Sequence, residues 1–151
     1  MELRPVTLKD TDVLNAVLCK TAEASENRKA IEESVNRLHG GRYYEMFLVF
    51  QKKAPIGVMT VYGHTDCIVN INAEITESER HKGYGFEAMI AMCSLMYEKG
   101  YTIAIADIDA DNIASVKLHE KLGFERERTY LGSGGKKFYL YIRTLSEFGE
   151  I

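Results

Sequence analysis

A chain of 151 residues with 46% apolar and 27% charged side chains has the make-up of a soluble globular protein, long enough to bury a sizeable core. Its balance of 22 acidic against 19 basic residues argues against nucleic acid as the main partner, since such binders concentrate positive charge. No apolar run approaches the roughly 20 residues that span a bilayer, and the opening Met1–Pro5 lacks the apolar core of a signal peptide, so a cytoplasmic protein without a membrane partner is expected. Cys19, Cys67 and Cys93 are odd in number and widely spaced, which suits small apolar residues in a reducing compartment. His39, His64 and His81 show no ligand spacing with each other or with the cysteines, so no metal is expected.

Along the chain, Glu2–Thr7 reads as a short strand, with Thr7 able to cap the next element. From Leu8 to about Ala24, Leu8, Val13, Leu14, Val17 and Leu18 recur at helical intervals. A second helix is predicted over Ser25–Leu38, with Ile31, Val35 and Leu38 as its apolar stripe and Gly40-Gly41 as a left-handed stop. The texture then changes to β-branched and aromatic residues. Strands are expected over Tyr43–Lys52, Ile56–Gly63 and Cys67–Thr76, with Ala54-Pro55 as the first turn, which together make an antiparallel meander.

A glycine-containing stretch, Arg80–Gly85, leads into a helix to about Lys99, where Met89, Ile90, Cys93, Met96 and Tyr97 share a face and Gly100 stops it. Thr102–Ile108 is nearly all apolar, as expected of a strand buried on both faces, and strand, helix and strand in succession predict a right-handed parallel crossover. Asp111 or Asn112 can cap a further helix with Ala114, Leu118 and Leu122 on one face, ended by Gly123 with Phe124 folding back on it. Arg126–Leu131 and Lys137–Ile142, around Gly132-Ser133-Gly134-Gly135, form a last hairpin. Residues 1–151 read as one mixed α/β domain.

Chemistry concentrates in Arg80-His81-Lys82-Gly83-Tyr84-Gly85, between a strand and a helix. Glycines there allow positive φ and close approach, so backbone N–H groups converge on an anion at the helix N-terminus, with Arg80 and Lys82 adding charge. The segment ends in no Gly-Lys-Ser/Thr and misses the dinucleotide spacing, so neither of those phosphate loops is indicated. Some twenty-five residues on stands Asn112-Ile113-Ala114-Ser115, followed by Leu118-His119-Glu120-Lys121-Leu122-Gly123-Phe124. With R-x-x-G-x-G met by Arg80, Gly83 and Gly85, the chain resembles the GNAT superfamily of N-acetyltransferases. The L-H-E-K-L-G-F form looks like its phosphinothricin-type branch.

The resemblance implies the GNAT fold: a central twisted mixed sheet of about seven strands with flanking helices, whose fourth and fifth strands are parallel and splay apart. Acetyl-CoA would enter that split, its pantetheine arm on Ala73, Glu74 and Ile75 and its pyrophosphate on the loop of Arg80, His81, Lys82, Gly83, Tyr84 and Gly85. Asn112, with Ser115 in the same motif, matches the position that contacts the pantetheine region. The acetyl group would pass directly to a primary amine, most simply that of a small molecule. A protein N-terminus or lysine, or a non-catalytic acetyl-CoA-binding homologue, are the other readings. Glu74 is the expected base, with Asp107, Asp109 or water alone as substitutes. His119 stands where many family members carry a tyrosine that protonates the leaving thiolate. It is the expected acid, with Tyr139 or Tyr141 as the alternative donor. Tyr43-Tyr44 could line an acceptor pocket or simply be core. The acceptor side would come from about Thr21–Gly41 and Leu131–Lys137, and the resemblance leaves room for a homodimer through the last strand or hairpin.

Overall fold

The computed structural model of the chain describes residues 1–18 and 24–150. Strand β1 (Glu2–Pro5) runs into a reciprocal cap: the Thr7 hydroxyl accepts from Lys9 N–H, and Asp10 accepts from Thr7 N–H at 2.7 Å. Asp10 is buried, and Arg4 donates to it at 2.8 Å, so the charge is compensated where water is scarce. A single 3-10 turn (Leu8–Asp10) precedes helix α1 (Thr11–Leu18). Leu14 and Val17 point into the core, whereas Leu8, in the turn, is exposed. The remainder of the first predicted helix, with Cys19 and Thr21, lies outside the described residues.

Helix α2 (Ala24–Asn36) ends before the two glycines. Leu38 N–H bonds the Glu33 carbonyl and Arg37 N–H bonds that of Ser34, both at 3.0 Å, and Arg37 itself takes the left-handed φ of 55°. Gly40 and Gly41 serve a tight loop closed by His39 and Arg42. The predicted stripe is only partly inward. Ile31 is fully buried, but Ser34 takes the next inward position because its hydroxyl accepts Met46 N–H at 2.7 Å, which leaves Val35 and Leu38 exposed.

The meander comes next as β2 (Tyr44–Gln51), β3 (Ala54–Gly63) and β4 (Ile68–Ile75). Its first turn is Lys52-Lys53, both at positive φ as a two-residue hairpin loop demands, rather than Ala54-Pro55. Pro55 already sits in β3 opposite Phe50, beside a register shift where its missing N–H is tolerated. Helix α3 (Tyr84–Glu98) crosses over to β5 (Ile103–Asp109), which is parallel to β4. Helix α4 (Ile113–Lys121) then leads to the hairpin of β6 (Glu125–Leu131) and β7 (Lys137–Thr144). The seven-stranded sheet has the order β1-β2-β3-β4-β5-β7-β6.

One core lies between the sheet and α3, where Met89, Met92, Cys93 and Met96 are fully buried against Val61, Ile71, Ala104 and Tyr141. A smaller core on the opposite face joins Leu14, Val17 and Ile31 to Val6, Met46, Leu48 and Val58. Helices α1 and α2 pack on β2 and β3. The same face of β5 is therefore less covered, and only Ala104, Ala106 and Ile108 of β5 are buried; the expectation of two buried faces is corrected. Cys93 is the small apolar residue expected, its thiol pushed up to about 12 by burial, whereas Cys67 is exposed.

The α4 terminus shows how tightly a glycine can be specified. Phe124 N–H bonds the His119 carbonyl at 2.9 Å and Gly123 N–H bonds that of Glu120 at 3.1 Å, with Gly123 at φ 84° and Arg143 Nε 3.0 Å from where a Cβ would sit. Gly123→Ala should therefore lower stability by about 1–2 kcal/mol. Urea denaturation should show a lower midpoint at unchanged slope, and an unchanged midpoint would refute the cap.

Candidate active site at the strand split

The parallel pairing of β4 and β5 lasts for three residue pairs, from Ile68 with Ile103 to Asn70 with Ile105. Beyond Asn70 the strands part, and the edge of β4 facing β5 has no strand partner from Ile71 to Ile75 among the described residues. Two connected hollows fill the gap. The larger, of about 530 Å³, runs from Ala73–Ile75 across the loop to α4. The smaller, of about 260 Å³, lies between Asn70–Asn72 and Ala106–Asp109. Asn72, Asn112, Ser115 and His119 line both, so the hollows meet there.

The loop is built as its sequence demands. His81 takes φ 65° and Gly83 φ 84°, and Gly83 is the residue before the first turn of α3. Left-handed residues in such a loop turn successive N–H groups to one side, toward the helix N-terminus. A Cβ on Gly83 would meet nothing within 4 Å, so the cradle at that point is open space. Gly85 serves packing instead, with Leu118 Cδ2 3.6 Å from its notional Cβ. Arg80 lines the larger hollow and ties the loop to β4, its Nε donating to the Ile75 carbonyl at 2.8 Å. His81 and Tyr84 also line it. Lys82 does not: its Nζ pairs with Glu79 at 3.0 Å, which offsets a carboxylate that does line the hollow.

On the other wall, Asn112 caps α4 by accepting Ser115 N–H on Oδ1 at 3.2 Å, which leaves its amide N–H₂ free to donate. His119, one turn on from Ser115, is 6% exposed and donates from Nδ1 to the Ser115 carbonyl at 2.8 Å. A carbonyl only accepts, so the proton of the neutral ring is on Nδ1 and Nε2 carries the lone pair. That Nε2 is buried without a partner, and burial pulls the pKa of His119 below the ordinary imidazole value. Phe124 packs edge-on against the ring at 5.1 Å.

Ala73, Glu74 and Ile75 line the larger hollow. Glu74 pairs across the sheet with Val58 of the smaller core, so Asn70, Asn72 and Glu74 face the α1–α2 side and Ile71 the α3 side, as alternation implies. Asp107 and Asp109 line the smaller hollow, but Asp109 is engaged: it accepts from Lys136 at 2.6 Å and from Asp111 N–H at 2.9 Å, contacts that hold its carboxyl below the usual range. Tyr139 and Tyr141 line neither hollow. Tyr141 is fully buried and donates to Glu120 at 2.7 Å, and the Arg126 guanidinium lies 3.6 Å over the Tyr139 ring. Tyr43 and Tyr44 are also away from the split, half-buried against the two cores. Sequence reasoning missed Asn72, Phe86 and Lys121. Lys121 brings a cation to the larger hollow with its Nζ 4.4 Å over Phe86, a juxtaposition only the packing of α4 on α3 creates.

This geometry suits an extended anionic molecule: an unpaired strand edge, a loop of N–H groups with Arg80 and Lys121 nearby, and a buried unsatisfied nitrogen on a residue lining both hollows. A family model described as an acetyltransferase (GNAT) domain matches residues 1–125. No curated protein sequence matches the chain. Among solved structures, the acetyl transferase from Salmonella typhimurium that modifies the N-terminal serine of the 50S ribosomal subunit protein L7/L12 superposes with a TM-score of 0.82 at 18% identity, over 94% of this chain and 93% of that one. A RimL ribosomal L7/L12 alpha-N-protein acetyltransferase in complex with coenzyme A gives 0.82 at 18%, over 94% and 92%. A chimera of the spermidine N-acetyltransferase SpeG from Vibrio cholerae with hSSAT gives 0.81 at 14%, over 98% and 99%. The chain belongs to the GNAT acetyltransferase family and is an acetyl-CoA-dependent N-acetyltransferase.

Proposed function

We propose that the acceptor is the primary amine of a small molecule. The observation that carries this reading is the smaller hollow: about 260 Å³, lined by Asn70, Asn72 and Asp107, and opening on His119. A compact polar recess holding a carboxylate suits an ammonium group on a small body better than a length of peptide. The likeness to phosphinothricin-type enzymes rests on the Leu118–Phe124 run, and it is reason to include amino-acid analogues among the acceptors tested.

Acetyl-CoA, when bound, supplies the thioester whose acetyl group the amine takes. In our reading the strand edge at Ala73–Ile75 pairs with the pantetheine arm. The N–H groups of His81–Gly85, with Arg80 and Lys121, hold the pyrophosphate, and the Asn112 amide donates to the arm. Two protons must leave a primary ammonium before an amide results. Glu74 takes the first and frees the nitrogen lone pair. The second leaves as the C–N bond forms. His119, neutral with an unpartnered Nε2, takes that proton and returns it to the departing sulfur. The acid role expected of His119 is thus retained, with the acceptor as the source of the proton.

Four experiments test this reading. Gly83→Asp places bulk and negative charge in the cradle and should abolish acetyl-CoA binding measured by calorimetry; an unchanged affinity would remove the loop from the site. Glu74→Gln should lower kcat by about a hundredfold or more with acetyl-CoA affinity intact. Thiol release across a panel of small amines, amino-acid analogues and N-terminal peptides shows which acceptor is used, and turnover of the peptides alone would overturn the small-molecule reading. The pH profile checks His119. A neutral ring is required and its pKa is lowered, so kcat should hold down to pH values below the ordinary imidazole range and fall beneath them. His119→Phe should remove that limb along with most of the rate, and a profile identical in shape would exclude the relay.

A further inference from the structure

Asp107, the carboxylate of the smaller hollow, takes no part in the proton transfers proposed above. It projects from β5 on the same face as Glu74, and two neutral donors fix it across the split: Tyr130 O–H on β6 donates to Oδ1 at 2.7 Å, and Asn70 Nδ2 on β4 to Oδ2 at 3.3 Å. Its neighbour Asp109 is neutralised by Lys136, but among the described residues no cation pairs with Asp107 or with Glu74. Neutral hydrogen bonds hold the geometry of a carboxylate while leaving its charge uncompensated. Asp107 is exposed and lines only the smaller hollow, whereas Glu74 lines only the larger. The ring of His119, with its buried and unpartnered Nε2, lies where the two meet.

We infer that Asp107, oriented by Tyr130 and Asn70, is a specificity residue that holds a second, non-reacting cationic group of the acceptor while the first amine is acetylated beside His119 and Glu74. The inference rests on the small-molecule reading above and names the class of acceptor: a small dicationic amine. Spacing comes from the strand. Asn70 touches Asp107 and Asn72 lies at the junction, two residues apart, or about 7 Å along β4. Two ammonium groups joined by four or five methylenes span that distance. A monoamine of the same length would leave Asp107 without its counter-charge and gain nothing from the recess.

The test compares 1,5-diaminopentane with n-pentylamine. With coenzyme A bound, calorimetry should show the diamine binding the wild type at least about tenfold more tightly than the monoamine, the size expected for a hydrogen bond to a charged group. Asp107→Asn keeps the shape and removes the charge; its one oxygen can still accept from Asn70, and its N–H₂ can donate to the Tyr130 hydroxyl, which also accepts. It should erase that preference while leaving coenzyme A affinity unchanged. Tyr130→Phe should reduce the preference in part, because Asn70 still holds one oxygen. In turnover, Asp107→Asn should raise KM for the diamine with little change in kcat, which separates a docking role from a proton-transfer role. Equal binding of the two amines by the wild type, a preference that survives Asp107→Asn, or an effect on kcat alone would each overturn the inference. Loss of coenzyme A binding in the wild type would instead sink the acetyltransferase site itself, so the two failures are distinguishable.

Discussion

Everything at the site depends on the pairing of β4 and β5 stopping after three residue pairs. Parallel strands that stayed together would bury the backbone groups of Ile71–Ile75 in a ladder. By parting, they leave a strand edge whose polar groups need another partner inside a cleft. The chain leaves β4 through the Arg80 loop into α3, and leaves β5 through the Asp109–Asn112 turn into α4. Both helices therefore begin at the carboxyl ends of parallel strands, the place where open α/β sheets gather ligands. Their N-termini both lie at the split, so the positive ends of their dipoles add to Arg80 and Lys121.

Charge is sorted across this gap. The wall made by the loop and α4 carries the cations, and the β4–β5 face on the opposite side carries Glu74 and Asp107. Glu79, of the wrong sign for its wall, is paired locally by Lys82, and Asp109, at the end of β5, is paired by Lys136. Exposed pairs of this kind add little stability, so their effect lies in shaping the local field. An anionic cofactor and a cationic acceptor would thus be drawn to opposite sides of one junction, where the one titratable side chain, His119, is held neutral by burial.

How much of this could be read from the sequence depends on the range of the interactions. Features set within four or five residues were legible: the Asn112 cap, the Gly123 terminus with Phe124 folded back on it, and the positive φ at Gly83; the parallel crossover from β4 to β5 was legible from the order of its elements. Errors arose where a distant partner decided. Ser34 displaced Val35 from the inward face of α2 because Met46 N–H needed an acceptor. Arg37 closed that helix although glycines stood three residues on. The Ala54-Pro55 signal misled because a register shift lets a proline enter the strand. Within the site, Lys82 carried the right charge in the right motif, yet Glu79 is its partner, while Lys121 reaches the hollow from another helix. Tyr139 and Tyr141 were candidate donors in sequence, but they pack against Arg126 and Glu120 and line neither hollow.

His119 shows why local and distant effects must be weighed together. Its helix alone fixes the tautomer, since the Ser115 carbonyl one turn back can only accept. Its charge state is decided elsewhere, by Phe124 and Tyr141 closing around the ring and excluding water. A histidine placed there by motif alone looks like an acid with a near-neutral pKa. Once buried, with Nδ1 already donating, it becomes a base with a lone pair and no proton to give. Desolvation lowers the pKa and the hydrogen bond to Ser115 raises it, and the desolvation is the larger effect. In the reaction proposed above, any proton this residue delivers to the leaving sulfur is one it has just received from the acceptor.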